Sequence, residues 1–80
     1  MTAQGILAEA AGISRRSYTF TLEPNEGGVW TSGLLEIRGV VSEGDSPAEA
    51  VAMARDALLE WAIVRLEDGL PIPDAPGRDR

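Results

Sequence analysis

The sequence predicts an α+β domain: an antiparallel sheet of three or four strands with one long helix packed on it and a short helix ahead of it. Two extended runs around a glycine pair predict a hairpin. Tyr18, Phe20 and Leu22 alternate with Thr19, Thr21 and Glu23, and Val29 to Glu36 returns after Gly27-Gly28. From Asp45 to Leu70 the chain then holds its longest helical pattern, marked at both ends.

In chain order, Ala3, Ile6, Leu7, Ala10, Ala11 and Ile13 have helical spacing, with Thr2 placed to cap the start and Gly12 to end the helix. Leu7 to Arg16 resembles the middle of a helix-turn-helix. A recognition helix would have to continue through Tyr18 to Leu22, which alternates at period two, so DNA binding by this segment is not expected. In the hairpin, Pro24-Asn25-Glu26-Gly27-Gly28 is turn chemistry, and Gly33 in the returning strand signals a bulge or a close backbone approach. Leu35 to Gly39 leads to a short third strand, Val40 to Glu43, which Gly44-Asp45 breaks.

The long helix opens on Ser46-Pro47-Ala48-Glu49, a capping box in which the Ser hydroxyl accepts the Glu49 N–H and the Glu carboxylate reaches back to the Ser46 N–H. Pro47 falls at the first helical position, where a missing N–H costs nothing. Gly69 suits the left-handed position after the last turn, and Pro71 forbids continuation. Leu70-Pro71-Ile72-Pro73-Asp74-Ala75-Pro76 is extended, and Gly77 to Arg80 is expected to fray.

Two apolar stripes run along this helix. Val51, Leu58, Ala62 and Leu66, flanked by Leu59 and Ile63, form one; Ala50, Ala54, Ala57, Trp61 and Val64 form the other. Arg55, Asp56, Glu60 and Glu67 leave only a narrow polar sector. The second half of the helix should therefore touch both the sheet and something else. A homo-oligomer or partner contact is expected, because monomers tolerate large exposed apolar patches poorly.

Composition removes whole classes of function. Eighty residues form one small domain that buries only ~60 to 65% of its unfolded surface. The absence of Cys and His removes disulfides, the usual zinc and copper ligands, and every Ser-His or Cys-His nucleophile arrangement. Seven basic residues against thirteen acidic ones, net −6, oppose nucleic-acid binding and suit a basic partner. There is no apolar run long enough to span a bilayer and no secretory signal plan at the N-terminus, so a cytoplasmic protein without membrane contact is expected. Glu23, Glu36, Glu43 and Asp45 lie at strand ends or in loops with no spacing that forces convergence on a cation. Gly27-Gly28 lacks the Lys or helix start of a phosphate loop. No catalytic residue, metal or cofactor is expected.

The order of short motifs carries a resemblance. Tyr18-Thr19-Phe20-Thr21-Leu22-Glu23-Pro24, a Gly-Gly turn and an aromatic strand come first. Leu35-Glu36-Ile37-Arg38-Gly39, Gly44-Asp45-Ser46-Pro47-Ala48-Glu49-Ala50 and Leu66-Glu67-Asp68-Gly69-Leu70-Pro71-Ile72-Pro73 follow. Together they resemble the HicB-like antitoxin family, whose fold is a partial ribonuclease-H-like unit. The likeness divides the chain into an N-terminal helical arm at 1–17, a HicB-like domain at 18–76 and a tail at 77–80. It implies a non-catalytic antitoxin that binds and neutralises a HicA-type toxin, a small basic protein that cuts messenger RNA. The Leu35 to Val40 loop lacks the prolines and the Cys usual in the family, and the chain ends at Arg80 without the C-terminal DNA-binding segment that many members carry. Operator binding is therefore not expected. The alternative is an orphan homo-oligomeric scaffold or ligand-binding module of the same fold. Trp30, Glu36, Arg38, Trp61 and Val64 are the candidate partner or oligomer surface: Trp is a frequent interface anchor, and Glu36 and Arg38 occupy the most altered loop.

Overall fold

In the computed structural model, which describes residues 2–75, the chain runs α1 (Ala3–Ser14), β1 (Phe20–Pro24), β2 (Trp30–Leu34), β3 (Val41–Gly44) and α2 (Pro47–Glu67). Met1 and residues 76–80, the expected frayed tail among them, lie outside the described residues. The strands form one antiparallel sheet in the order β1-β2-β3, so three strands, not four, are present among the described residues. This is the α+β architecture that the patterning predicts.

Strand alternation and register together decide which side chains face the helix. Phe20 pairs with Leu34, Leu22 with Ser32 and Pro24 with Trp30, while Trp30 and Ser32 pair onward with Gly44 and Ser42. These residues share the helix side. Thr21, Glu23, Thr31, Gly33, Val41 and Glu43 share the other face, which no helix covers. Around the turn, Gly27 and Gly28 both adopt φ of 80°, a left-handed conformation that favours glycine. The Asn25 N–H closes the loop on the Val29 carbonyl at 2.7 Å. The pairing runs through Gly33 without a skipped residue, so there is no bulge. A Cβ at Gly33 would lie 3.2 Å from the Val40 carbonyl oxygen, the close approach that a strand glycine permits.

Both ends of α2 follow the local code. Ser46 accepts the Glu49 N–H at 3.1 Å, a bond of the kind worth about 1 kcal/mol. The reciprocal arm differs from expectation, because the Glu49 carboxylate takes the Asp45 N–H at 2.6 Å and not that of Ser46. At the far end the Leu70 N–H bonds the Arg65 carbonyl and the Gly69 N–H bonds that of Leu66, with Gly69 at φ 68°. That is the paired-bond ending a C′ glycine makes possible.

Neither apolar stripe alone is the core. Ala50, Ala54, Leu58 and Ala62, spaced by four and drawn from both stripes, form the fully buried line, with Val51, Ala57, Leu59, Trp61, Ile63 and Leu66 half-buried on its flanks. The small residues at its start let the helix approach β3 so closely that a Cβ on Gly44 would stand 2.5 Å from the Ala50 nitrogen. Strand β3 thus includes Gly44, where the sequence suggested a break.

The something else that α2 touches is, within this chain, α1. Ala10 and Ile13 are buried in the same cluster as Leu58 and Ala62. Thr2 caps α1 as expected, its hydroxyl accepting the Gly5 N–H at 3.0 Å. Gly12 does not end the helix: α1 continues to Ser14 because Ile13 is 2% exposed and held in the core. Beyond α2 the proline-rich segment packs Ile72 and Ala75 against the core and leaves Leu70 exposed. The Tyr18 hydroxyl donates to the Pro73 carbonyl and an Arg65 guanidinium nitrogen to that of Pro71, tying this segment to both β1's approach and α2.

Candidate functional site

The five candidate residues do not form one patch. Trp30 lies half-buried on the helix side, at the end of the sheet where β3 meets the first turn of α2. The other four are at the opposite end: the loop after β2 enters the core through Ile37 and Val40, which cluster with Leu58 and Ala62 in the second half of α2.

Within that group the roles separate. The Glu36 carboxylate accepts the Thr19 N–H through both oxygens, at 2.9 and 3.2 Å, and so anchors the entry to β1 to the loop after β2. Burial pushes this carboxyl up, but hydrogen bonds from Thr19 and from its own backbone outweigh that, and it ends below the ordinary glutamate value. Arg38 is exposed. Trp61 is half-buried, with the Arg65 guanidinium over its ring at 5.1 Å, a cation–π contact that also brings Arg65 to the Pro71 carbonyl. Val64 is 54% exposed on the solvent side of α2.

Val64 belongs to a longer surface that the stripe analysis did not isolate. Glu49, Met53, Asp56, Glu60, Val64 and Glu67 are all exposed. At 100° per residue they fall within a sector of about 80°, on a seam roughly 27 Å long. Arg55, assigned to this polar sector from sequence, lies about 140° round the helix from it. Its guanidinium donates to the Ser14 carbonyl and stacks over the Phe20 ring at 4.6 Å, joining α1, β1 and α2. Arg65 also lies about 140° from the seam, over the Trp61 ring. The solvent face of α2 therefore carries carboxylates without interspersed basic side chains, and the Asp56–Glu60 pair, four apart, repels instead of supporting the helix. The signal was available in the sequence as acidic residues at 49, 56, 60 and 67. It was obscured because Arg55 was grouped with Asp56, Glu60 and Glu67 in one polar sector.

One buried polar group stands apart from this surface. Ser32, fully buried on the helix side of the central strand, has a hydroxyl with no hydrogen-bond partner. At 0% exposure its position is closed to any ligand. Among the described residues there is no pocket and no group of three or more metal-ligating side chains, and no helix is long and apolar enough to cross a membrane. No protein-family model, no curated protein and no solved structure matches the chain.

Proposed function

We propose that this chain is a non-catalytic binding protein of HicB-like type that occludes a small basic toxin of HicA type. The observation that carries the reading is the anionic seam on α2, where Asp56, Glu60 and Glu67 surround exposed Val64 and no Arg intervenes. Opposed charge of this kind accelerates encounter more than it adds affinity, and the apolar side chains between the carboxylates supply contact once the partner is docked. The order of motifs from Tyr18 to Pro73 supports the same reading.

Co-expression with the neighbouring open reading frame tests it. A small basic protein that copurifies, and whose association slows on Asp56→Arg with Glu60→Arg and at high salt, is expected. No such neighbour, or a complex indifferent to both changes, defeats the reading. A second reading, an orphan homo-oligomeric scaffold, is favoured by Leu35 and Val41, which are 70% and 61% exposed. A chain that self-associates and has no small basic neighbour would select it.

A further inference from the structure

The hydrogen-bond phase of the hairpin leaves β1 with an unpaired edge. The Leu35 N–H bonds the Thr19 carbonyl and the Asn25 N–H bonds the Val29 carbonyl, so residues 19, 21, 23 and 25 turn their backbone groups towards β2. Phe20 and Leu22 consequently turn N–H and C=O outward, and none of these groups has a partner among the described residues. Pro24, which has no N–H, ends the row. Leu22 lies on the helix side yet is 44% exposed. The edge carries no inward charge and no bulge, two of the devices that block pairing, and its one proline, Pro24, stands at its end. The opposite edge is poorer: only Val41 and Glu43 of β3 turn outward, and the Asp45 N–H beyond them is taken by Glu49.

We infer that β1 pairs antiparallel with β1 of a second copy, Thr21 opposite the partner's Thr21, so that two sheets join as one of six strands. A two-fold axis through Glu23 would set that carboxylate against its own copy and Leu22 against the partner's Pro24. Centring on Leu22 sets Phe20 against the partner's Pro24 and loses a bond for want of an N–H. Centring on Phe20 sets Leu22 against the partner's Tyr18, a residue 6% exposed and tied to Pro73. Centring on Thr21 satisfies every outward group of Phe20 and Leu22 on both chains. It also lays Phe20 against the partner's Leu22 on the helix side and sets Glu23 against the partner's Thr19, so that no like charges oppose. This interface is independent of the toxin-binding reading.

The chain has no Cys, so one introduced thiol reports the register directly. Thr21→Cys should form a disulfide-linked dimer on mild oxidation, because its mate stands directly opposite. Glu23→Cys should not, because in this register the two copies are displaced by ~13 Å along the strands. By light scattering at high micromolar concentration the wild type should show twice the 8.5 kDa of one chain. Leu22→Pro, which removes an N–H that only the partner uses, should show one chain with an unchanged far-ultraviolet spectrum. If Leu22→Pro loses structure, Leu22→Lys, which keeps the ladder but buries a charge against the partner, decides in its place. A monomeric wild type, equal cross-linking of both Cys variants, or a folded Leu22 variant that remains a dimer overturns the inference.

Discussion

Replacing Gly44 by Ala tests how tightly the long helix is seated on the sheet. The added Cβ would stand 2.5 Å from the Ala50 nitrogen, 2.8 Å from the Glu49 carbonyl carbon and 2.9 Å from the Ala50 Cα. All three are backbone atoms in the first turn of α2, so no side chain can rotate away. Relief requires moving that turn, which also carries the bonds from Ser46 and Glu49 that start the helix. Overpacking of a core typically costs about 1–3 kcal/mol, and a clash confined to backbone belongs at or above the top of that range. Against a stability of about 4–12 kcal/mol for a domain of this length, a loss near 3 kcal/mol is large. Two other glycines calibrate the measurement. Gly33→Ala meets the Val40 oxygen and the Val41 side chain at 3.2 Å and should cost less. Gly12→Ala meets nothing within 4 Å inside a helix and should stabilise by about 0.5–1 kcal/mol. Urea unfolding followed by the fluorescence of Trp30 and Trp61 gives the three midpoints. If Gly44→Ala unfolds within about 1 kcal/mol of wild type, the close approach is wrong and so is the placement of α2.

Three further measurements probe separate contacts. Because Glu36 titrates below its ordinary value in the folded chain, its contribution to stability is complete above about pH 4.5 and lost as the pH falls through the folded value. Glu36→Gln should therefore be less stable than wild type at neutral pH, by a margin that closes in acid; a margin independent of pH contradicts the role of the charge. Arg55→Met keeps the apolar stem but leaves the Ser14 carbonyl without its donor. It should cost about 1–3 kcal/mol and raise hydrogen exchange in α1 before the sheet, whereas uniform exchange would argue against a local tie. Ser32→Ala removes a buried hydroxyl that bonds to nothing and should be neutral or stabilising by up to about 1 kcal/mol, so clear destabilisation would reveal a bond that the geometry does not contain.

What the sequence disclosed best was governed by short-range rules. The first residue of α2, its Gly ending, the hairpin and the helix at Ala3 all follow from caps, turn residues and periodicity, each decided within a few positions. The errors arose where a distant contact overrode a local preference. Gly12 stays helical because Ile13 is held by the core, and Gly44 stays in a strand because Ala50 fits against it. Ala and Gly count as weak signals in any apolar pattern, yet here they set the helix-to-sheet distance. In a helical projection Arg55 and Arg65 fall about 140° from the centre of the acidic seam, on the side of the buried Ala50, Ala54, Leu58 and Ala62. Arg55 reaches the Ser14 carbonyl and the Phe20 ring, and Arg65 the Pro71 carbonyl and the Trp61 ring one turn earlier, so neither charge lies on the anionic outer face of α2.

The excess apolar girth of α2 was expected to require a second protein, and the packing moves that requirement elsewhere. With Ala10 and Ile13 of α1 and Ile72 and Ala75 of the C-terminal segment drawn into the core, most of the surplus is met inside one chain. The apolar groups left to water are instead dispersed, and Leu22, Leu35 and Val41 place three of them in or beside the sheet. Stability and association should therefore respond to different residues. Trp61→Ala, which removes a ring packed against the core and stacked by Arg65, should lower the unfolding midpoint without changing the mass in solution. Leu22→Lys should change the mass while leaving the midpoint of the separated chain nearly intact, because that side chain is already half in solvent. If Trp61 governs the mass and Leu22 the midpoint, the helix and not the sheet edge is where copies of this protein meet.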